Sequence, residues 1–228
     1  MSRLVVYTCV TNGYDVIKKP STLPSWADWK GLTEADSPDN REPKLLPHKL
    51  FPEYDYSLWL DGNIDVIDAA FWDKVASLMD SGCLYAGVKH PSRDDAYEES
   101  LRILKNGRET ACRLRRTVRF LRSEGLPRHA GLNENNIILR RHNAAEVVAM
   151  DELWWSLYRR FSHRDQMTWS YCIWKTGLHT EYLLPEGTDV RHHPWFDYTV
   201  HDKPYRKDLF KDAARKVRVK AYELWLGL

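Results

Sequence analysis

Residues Asp55–Asp68, "DYSLWLDGNIDVID", read as a buried strand that runs straight into a cluster of oxygen-bearing side chains. Leu58, Trp59 and Leu60 form an apolar run of strand type. Asp61, Asn63 and Asp65 follow at alternate positions, with Gly62 between the first two. An oxygen-rich cluster at a strand end suits a hard divalent cation, Mg²⁺ or Mn²⁺, that also binds substrate phosphates. In extended geometry Asp61 and Asn63 would point the same way, and Gly62 would let a ligand approach closely. The same letters also make a plain turn, with Asp68 as the N-cap of the helix that follows. Spacing alone leaves both readings open.

Working outward, "LVVYTCV" (Leu4–Val10) is a β-branched, apolar strand that enters the turn "TNGYD". After the acidic tip, "DAAFWDKVASLMDSG" carries apolar residues at helical spacing and stops at Gly82. "CLYAGVKH" is a further strand, residues 94–125 are mostly helical, and Asn136–Arg140 is a short strand. "AAEVVAMDELWWSLYRRF" and "RDQMTWSYCIWKTG" are helices; residues 18–47 read as a long loop, and Pro47 breaks a short helix. Strands alternating with helices predict an α/β domain, a mixed, mostly parallel, Rossmann-like sheet flanked by helices, over residues 1–205. Residues 206–228 form a basic amphipathic helix beyond it. Ligands of such sheets bind at the carboxyl ends of the strands, where "TNGYD" and "DGNID" would lie together.

The bulk numbers fit one domain of 228 residues with a large core, since 43% of the chain is hydrophobic and it holds 10 Trp and 12 Tyr. A formal net charge of +2 gives no global polyelectrolyte reason to bind nucleic acid. The four cysteines are scattered without a CxxC pair, which argues against a thiolate zinc site or a disulfide framework and fits a reducing compartment. The first apolar run is too short for a secretory segment, and no stretch approaches a membrane span. The expected location is the cytoplasm, with peripheral contact at the inner face of a membrane. Such contact would use the basic stretches Leu101–Arg128 and Lys203–Lys220, with Trp225, Leu226 and Leu228 dipping into the interface.

"YSLWLDGNIDV" resembles the strand-plus-DxD motif of nucleotide-sugar glycosyltransferases with the GT-A fold, here written D-x-N. The ordered series "VVYTCVTNGYD", "REPKLLPHKLFPEYDYSLWLDGNIDV", "KHPSRDDAYEES", "GLNENNIILRRHN", "ELWW" and "SHRDQMTWSYCIWK" is similar to the glycosyltransferase-like domain family shared by bacterial polysaccharide clusters and plant cell-wall or mucilage proteins. The resemblance implies a hexosyltransferase that uses a nucleotide-diphosphate sugar, a UDP-sugar above all, and a saccharide or lipid-linked glycan acceptor. It implies Asp61 on the metal or donor ribose and Asn63 as a direct ligand of Mn²⁺ or Mg²⁺, a neutral one whose missing charge Asp65 could supply. Thr8, Tyr14 and Asp15 become base and ribose contacts, and Lys44 with Arg41 meets the donor diphosphate. Asn133 and Glu134 face the donor sugar, while Asp165 and Gln166 lie beside the transfer centre, the carboxylate as a base toward the acceptor hydroxyl. "VHDKPY" loosely resembles the H…KPW element of glycogenin-like transferases, which would give His201 to the metal and Lys203 to the leaving diphosphate.

Bland uses compete at each position: "NGYD" is a turn, Lys44 a solvated charge, "GLNEN" a polar lead-in to a strand. With Ser162 as N-cap, Asp165 would be a helix-start acid at the third helical position. Two rival functions also stand. A metal-dependent hydrolase of a lipid or phosphoester would call for a denser ligand set such as HxxxH. A non-catalytic polyanion-binding module would interleave basic and exposed aromatic residues, whereas the aromatics here fall in core-like segments.

Overall fold

The computed structural model describes residues 2–13, 15–199 and 209–227. Its spine is a six-stranded sheet ordered β2-β1-β3-β6-β5-β7. Leu4–Cys9 (β1) lies between Ala27–Leu32 (β2) and Tyr56–Leu60 (β3), parallel to both. Asn133–Arg140 (β6) runs antiparallel between β3 and Tyr85–Lys89 (β5), and Glu181–Tyr182 (β7) closes the edge parallel to β5. All strands but β6 therefore share one direction, which makes the sheet mixed and mostly parallel. A second, two-stranded sheet pairs Ile64–Val66 (β4) with Phe196–Tyr198 (β8) antiparallel.

The central strands are buried on both faces because their residues are apolar without alternation, as parallel strands between helix layers require. On one face, Val5, Tyr7, Trp59 and Ile138 join the helices Ala96–Lys105 (α4), Ala111–Ser123 (α5), Ala145–Arg160 (α6) and Gln166–Thr176 (α7). On the other, Leu4, Val6, Leu58 and Leu139 pack against Ala70–Asp80 (α3). Arg41–Leu45 (α1) and Pro47–Leu50 (α2) are short helices before β3, and Leu209–Leu226 (α8) packs on α4. No described helix is long and apolar enough to cross a membrane.

Several local expectations change. Residues 18–47 hold the strand β2, an edge strand whose polar, half-exposed sequence "ADWKGL" gives little periodic signal. The helical stretch after Asp94 is two helices, split around Gly107 in a left-handed conformation. The N-cap of the next helix is Ala69 and not Asp68, which stands one residue earlier and accepts from the Ala70 amide through Oδ1 at 2.9 Å. Trp225 and Leu226 do not face outward: Leu226 is buried in the core, and Arg115, Arg119 and Arg122 of α5 lie over the Trp225 ring. Leu228 lies outside the described residues.

Candidate active site

Helix α1 is set in place from beneath by a buried ionic group. Arg140 at the end of β6 and Asp151 on α6 meet at 2.9 Å with neither side chain exposed. The Arg140 guanidinium also donates to the Lys44 carbonyl and to the Tyr7 hydroxyl (3.3 Å), and that hydroxyl donates to the Pro43 carbonyl at 3.0 Å. These bonds take up backbone carbonyls that a five-residue helix leaves unsatisfied. They also fix where the Lys44 side chain can go.

It goes to the carboxyl edge of the sheet. The Lys44 ammonium, on a side chain 2% exposed, lies 3.3 Å from Asp61 Oδ1 and 2.8 Å from Asp165 Oδ2. Trp59 Nε1 donates to the same Asp61 oxygen at 2.8 Å, and the ammonium stands over the Trp59 ring. Arg41 approaches Asp165 Oδ2 at 3.5 Å. Asp165 is itself the N-cap of α7, accepting from the Gln166 amide at 2.9 Å, three positions before the third-position expectation; Ser162 instead accepts from the Arg164 amide. Burial alone would raise the Asp165 pKa, but Lys44 and Arg41 overcome it and hold the carboxyl at about 2. An anion held that low is a poor proton acceptor, so the geometry favours it as an anchor for the two cations over a base.

β6 opens beside this cluster. Its pairing with β5 jumps between Gly87 and Lys89, so residues 134–137 bulge, and Asn135 takes a positive φ of 57°. Gln166 Nε2 donates to the Asn133 carbonyl at 2.7 Å, and the Asp61 amide donates to the Asn136 carbonyl at 2.9 Å. Glu134 is bound twice, by Asn136 Nδ2 (3.0 Å) and by Arg191 (2.7 Å). Both side-chain polar atoms of Asn133 and of Asn135 are buried with no protein partner. Buried polar atoms of this kind call for water or a ligand. Asn133 also lies against Gly87, where a Cβ would come within 2.4 Å of its Nδ2.

The acidic tip is a turn, closed by the Ile64 amide donating to the Asp61 carbonyl at 3.0 Å. Asp61 and Asn63 therefore do not project in parallel as an extended chain would place them. Asp61 reaches Lys44, whereas Asn63 donates its Nδ2 to the Thr199 carbonyl at 2.9 Å. Asp65 is occupied by the amide and hydroxyl of Ser21, at 2.8 and 2.6 Å, so its charge serves that loop. Gly62 stands against the loop after β1: a Cβ there would lie 2.7 Å from Val10 and 3.4 Å from Asp15. The "TNGYD" and "DGNID" segments thus adjoin, as expected. Thr8 is buried, and strand alternation turns it with Val6 toward the α3 face, away from Lys44. Tyr14, His201 and Lys203 lie outside the described residues.

The structure therefore joins Lys44, Asp61, Asn133, Glu134, Asp165 and Gln166 into one edge of the sheet. It adds Trp59, Asn135, Asn136 and Arg191, which sequence reasoning passed over. The polar letters of "NENN" were the signal for the asparagines; Arg191 in "DVRHHPW" carried none. Among the described residues, one His/Asp/Glu group has metal-ligand spacing: Asp95, Glu98 and His129, with ligand atoms within 4.8 Å of one another. Arg128 already pairs with Asp95 and with Glu98 (3.2 Å), so a guanidinium supplies the counter-charge there.

The profile of the TOD1/MUCI70, glycosyltransferase-like domain family matches residues 36–185, a stretch that contains all six of the joined residues. A relative from Arabidopsis thaliana, "Probable hexosyltransferase MUCI70", is 28% identical over 154 residues, 64% of this chain and 26% of that protein. The chain thus spans about a quarter of that relative's length. No solved structure matches it.

Proposed function

Because this chain belongs to the TOD1/MUCI70 glycosyltransferase-like domain family, we propose that it moves a hexosyl group from a nucleotide-diphosphate sugar, a UDP-sugar, to a saccharide or lipid-linked glycan acceptor. The reading places the donor on a GT-A-type edge formed by Asp61, Lys44 and the start of β6. One observation carries it: a nearly buried lysine joins two acids at the mouth of the sheet, with Asp61 still 35% exposed.

In the reaction the bond between the anomeric carbon and the diphosphate oxygen breaks, and the acceptor hydroxyl oxygen bonds to that carbon as its proton passes to the departing diphosphate. Charge gathers on the leaving diphosphate, so fixed cations aimed there lower the barrier. Lys44 and Arg41 would do this, with Asp165 holding both in position. Asn133 and Asn135, whose polar atoms lack protein partners, would take the sugar hydroxyls, and Gln166 would fix the Asn133 backbone. Glu134, clamped by Arg191 and Asn136, would border the same pocket. Asp15 beside Gly62, with Tyr14, would meet the nucleoside. Asp61 and the amide oxygen of Asn63 are hard oxygen donors that fit Mn²⁺ or Mg²⁺, with His201 as a further ligand. Such an ion, when bound, would add diphosphate neutralisation to that of Lys44.

The test is thermal stabilisation by UDP, GDP and CMP, each with and without Mn²⁺, followed by donor hydrolysis across UDP-sugars. The expected result is a shift with one nucleotide diphosphate, larger with metal, whose metal-linked part Asp61→Ala removes. Indifference to every nucleotide would sink the transferase; a full metal-linked shift in Asp61→Ala would remove that residue from the site.

A further inference from the structure

The helix α8 has two faces, and only one is used by the fold. Inward, Tyr222 is buried and donates to Ser100 Oγ at 3.0 Å, while Arg122 donates to the Leu226 carbonyl at 2.7 Å. Arg115 lies over the Tyr222 ring, and three arginines of α5 cover Trp225. The arginines expected to attract lipid are thus partly spent on docking this helix. Outward, Val217 is 72% and Leu224 69% exposed, with Ala221 exposed between them. At about 100° per residue these three fall within about 60° of one another. Lys220 and Lys216 border that strip on one side and Arg218 on the other. The single acid of this stretch, Glu223, turns back to Lys105 (3.6 Å) and Lys220 (3.4 Å).

We propose that the outward face of α8 binds the surface of an anionic lipid bilayer, with Val217, Ala221 and Leu224 entering the headgroup boundary and Lys216, Arg218 and Lys220 meeting lipid phosphates. Charge complementarity selects this occupant. A second copy of the same face would set cations against cations. A protein partner needs roughly 800 Å² per side, far more than three short apolar side chains provide, while shallow insertion between headgroups needs only such a strip. The docked inner face fixes the helix on the domain, so it can lie flat along a surface. This inference does not depend on the transferase reading.

Co-sedimentation of the full chain with vesicles of phosphatidylcholine, alone or mixed with phosphatidylglycerol, tests it. The chain should sediment with the mixed vesicles at low salt and be released at high salt. Val217→Asp with Leu224→Asp should lower binding at least about ten-fold, and each of Lys216→Gln and Lys220→Gln about five-fold. All four positions are exposed, so the melting temperature and the nucleotide response should not change. Equal binding to phosphatidylcholine alone, no binding at all, or full binding by the double aspartate variant would overturn the proposal. So would a change of oligomeric state in that variant without lipid, which would mark the face as a contact between copies.

Discussion

Arg140–Asp151 and Lys44–Asp61–Asp165 are two ionic groups that meet the same short helix, one at the Lys44 carbonyl and one at its ammonium, and they are finished differently. The first pair is sealed: both side chains are 0% exposed, and the second terminal nitrogen of the guanidinium donates to a backbone carbonyl and a tyrosine hydroxyl. The second is left open at one end, since Lys44 is enclosed but Asp61 reaches the surface. A sealed ion pair holds geometry and offers nothing to a ligand. An open one keeps its charges fixed while presenting a carboxylate oxygen, here that of Asp61, to whatever cation or donor group approaches from solvent. The sealed pair holds α1, and the open cluster uses the result.

The difference is broken most severely at Asp151. Asp151→Ala strands a buried guanidinium, and loss of one partner from such a pair costs ~3–5 kcal/mol. Urea unfolding should show a loss of that size together with loss of any nucleotide response, because α1 moves. A loss below about 1 kcal/mol would mean that the pair does not hold the helix. Lys44→Met acts at the open cluster. It leaves Asp165 with Arg41 and a backbone amide, and Asp61 with Trp59 and solvent, so ~2 kcal/mol of stability should go. The nucleotide response should vanish while the fold stays intact. Retention of that response would put the diphosphate elsewhere.

A titration sharpens the contrast. The Asp165 carboxyl is lowered from the ordinary 3.8 to about 2, so it favours folding when ionised. Its contribution, ~2 kcal/mol, is complete above about pH 4 and is lost as pH falls through 2. Melting temperatures of the wild type should drop across that window more steeply than those of Asp165→Asn. Parallel curves would show that Lys44 and Arg41 do not hold the anion as described.

Much of the open cluster was legible because its parts have strong local signals. The apolar run of β3 ends at Asp61, and the polar letters before β6 announce Asn133 and Glu134. What could not be read is the enclosure of Lys44. That depends on Tyr7 and Arg140, which lie 36 residues before Pro43 and 96 after Lys44 along the chain. The direction of Asn63 was equally hidden, since the turn at Gly62 and the carbonyl of Thr199 decide it. β2 escaped because an edge strand with one wet side and a lysine and an aspartate within it has no clean alternation. Parallel pairing to β1, a tertiary fact, makes it a strand.

The smallest expected effect isolates the wall of the open cluster. Trp59 gives one hydrogen bond to Asp61 and presents its ring to Lys44, while the rest of its bulk fills the core beside Tyr7. Trp59→Phe keeps most of that bulk and removes the indole donor. The cost should be ~1–2 kcal/mol, the sum of a lost bond to a charged group and a small cavity. Asp61 would then be held by Lys44 alone, so the metal-linked part of the nucleotide shift should shrink without disappearing. An unaltered metal response would show that the orientation of Asp61 comes from Lys44, and that Trp59 is only packing.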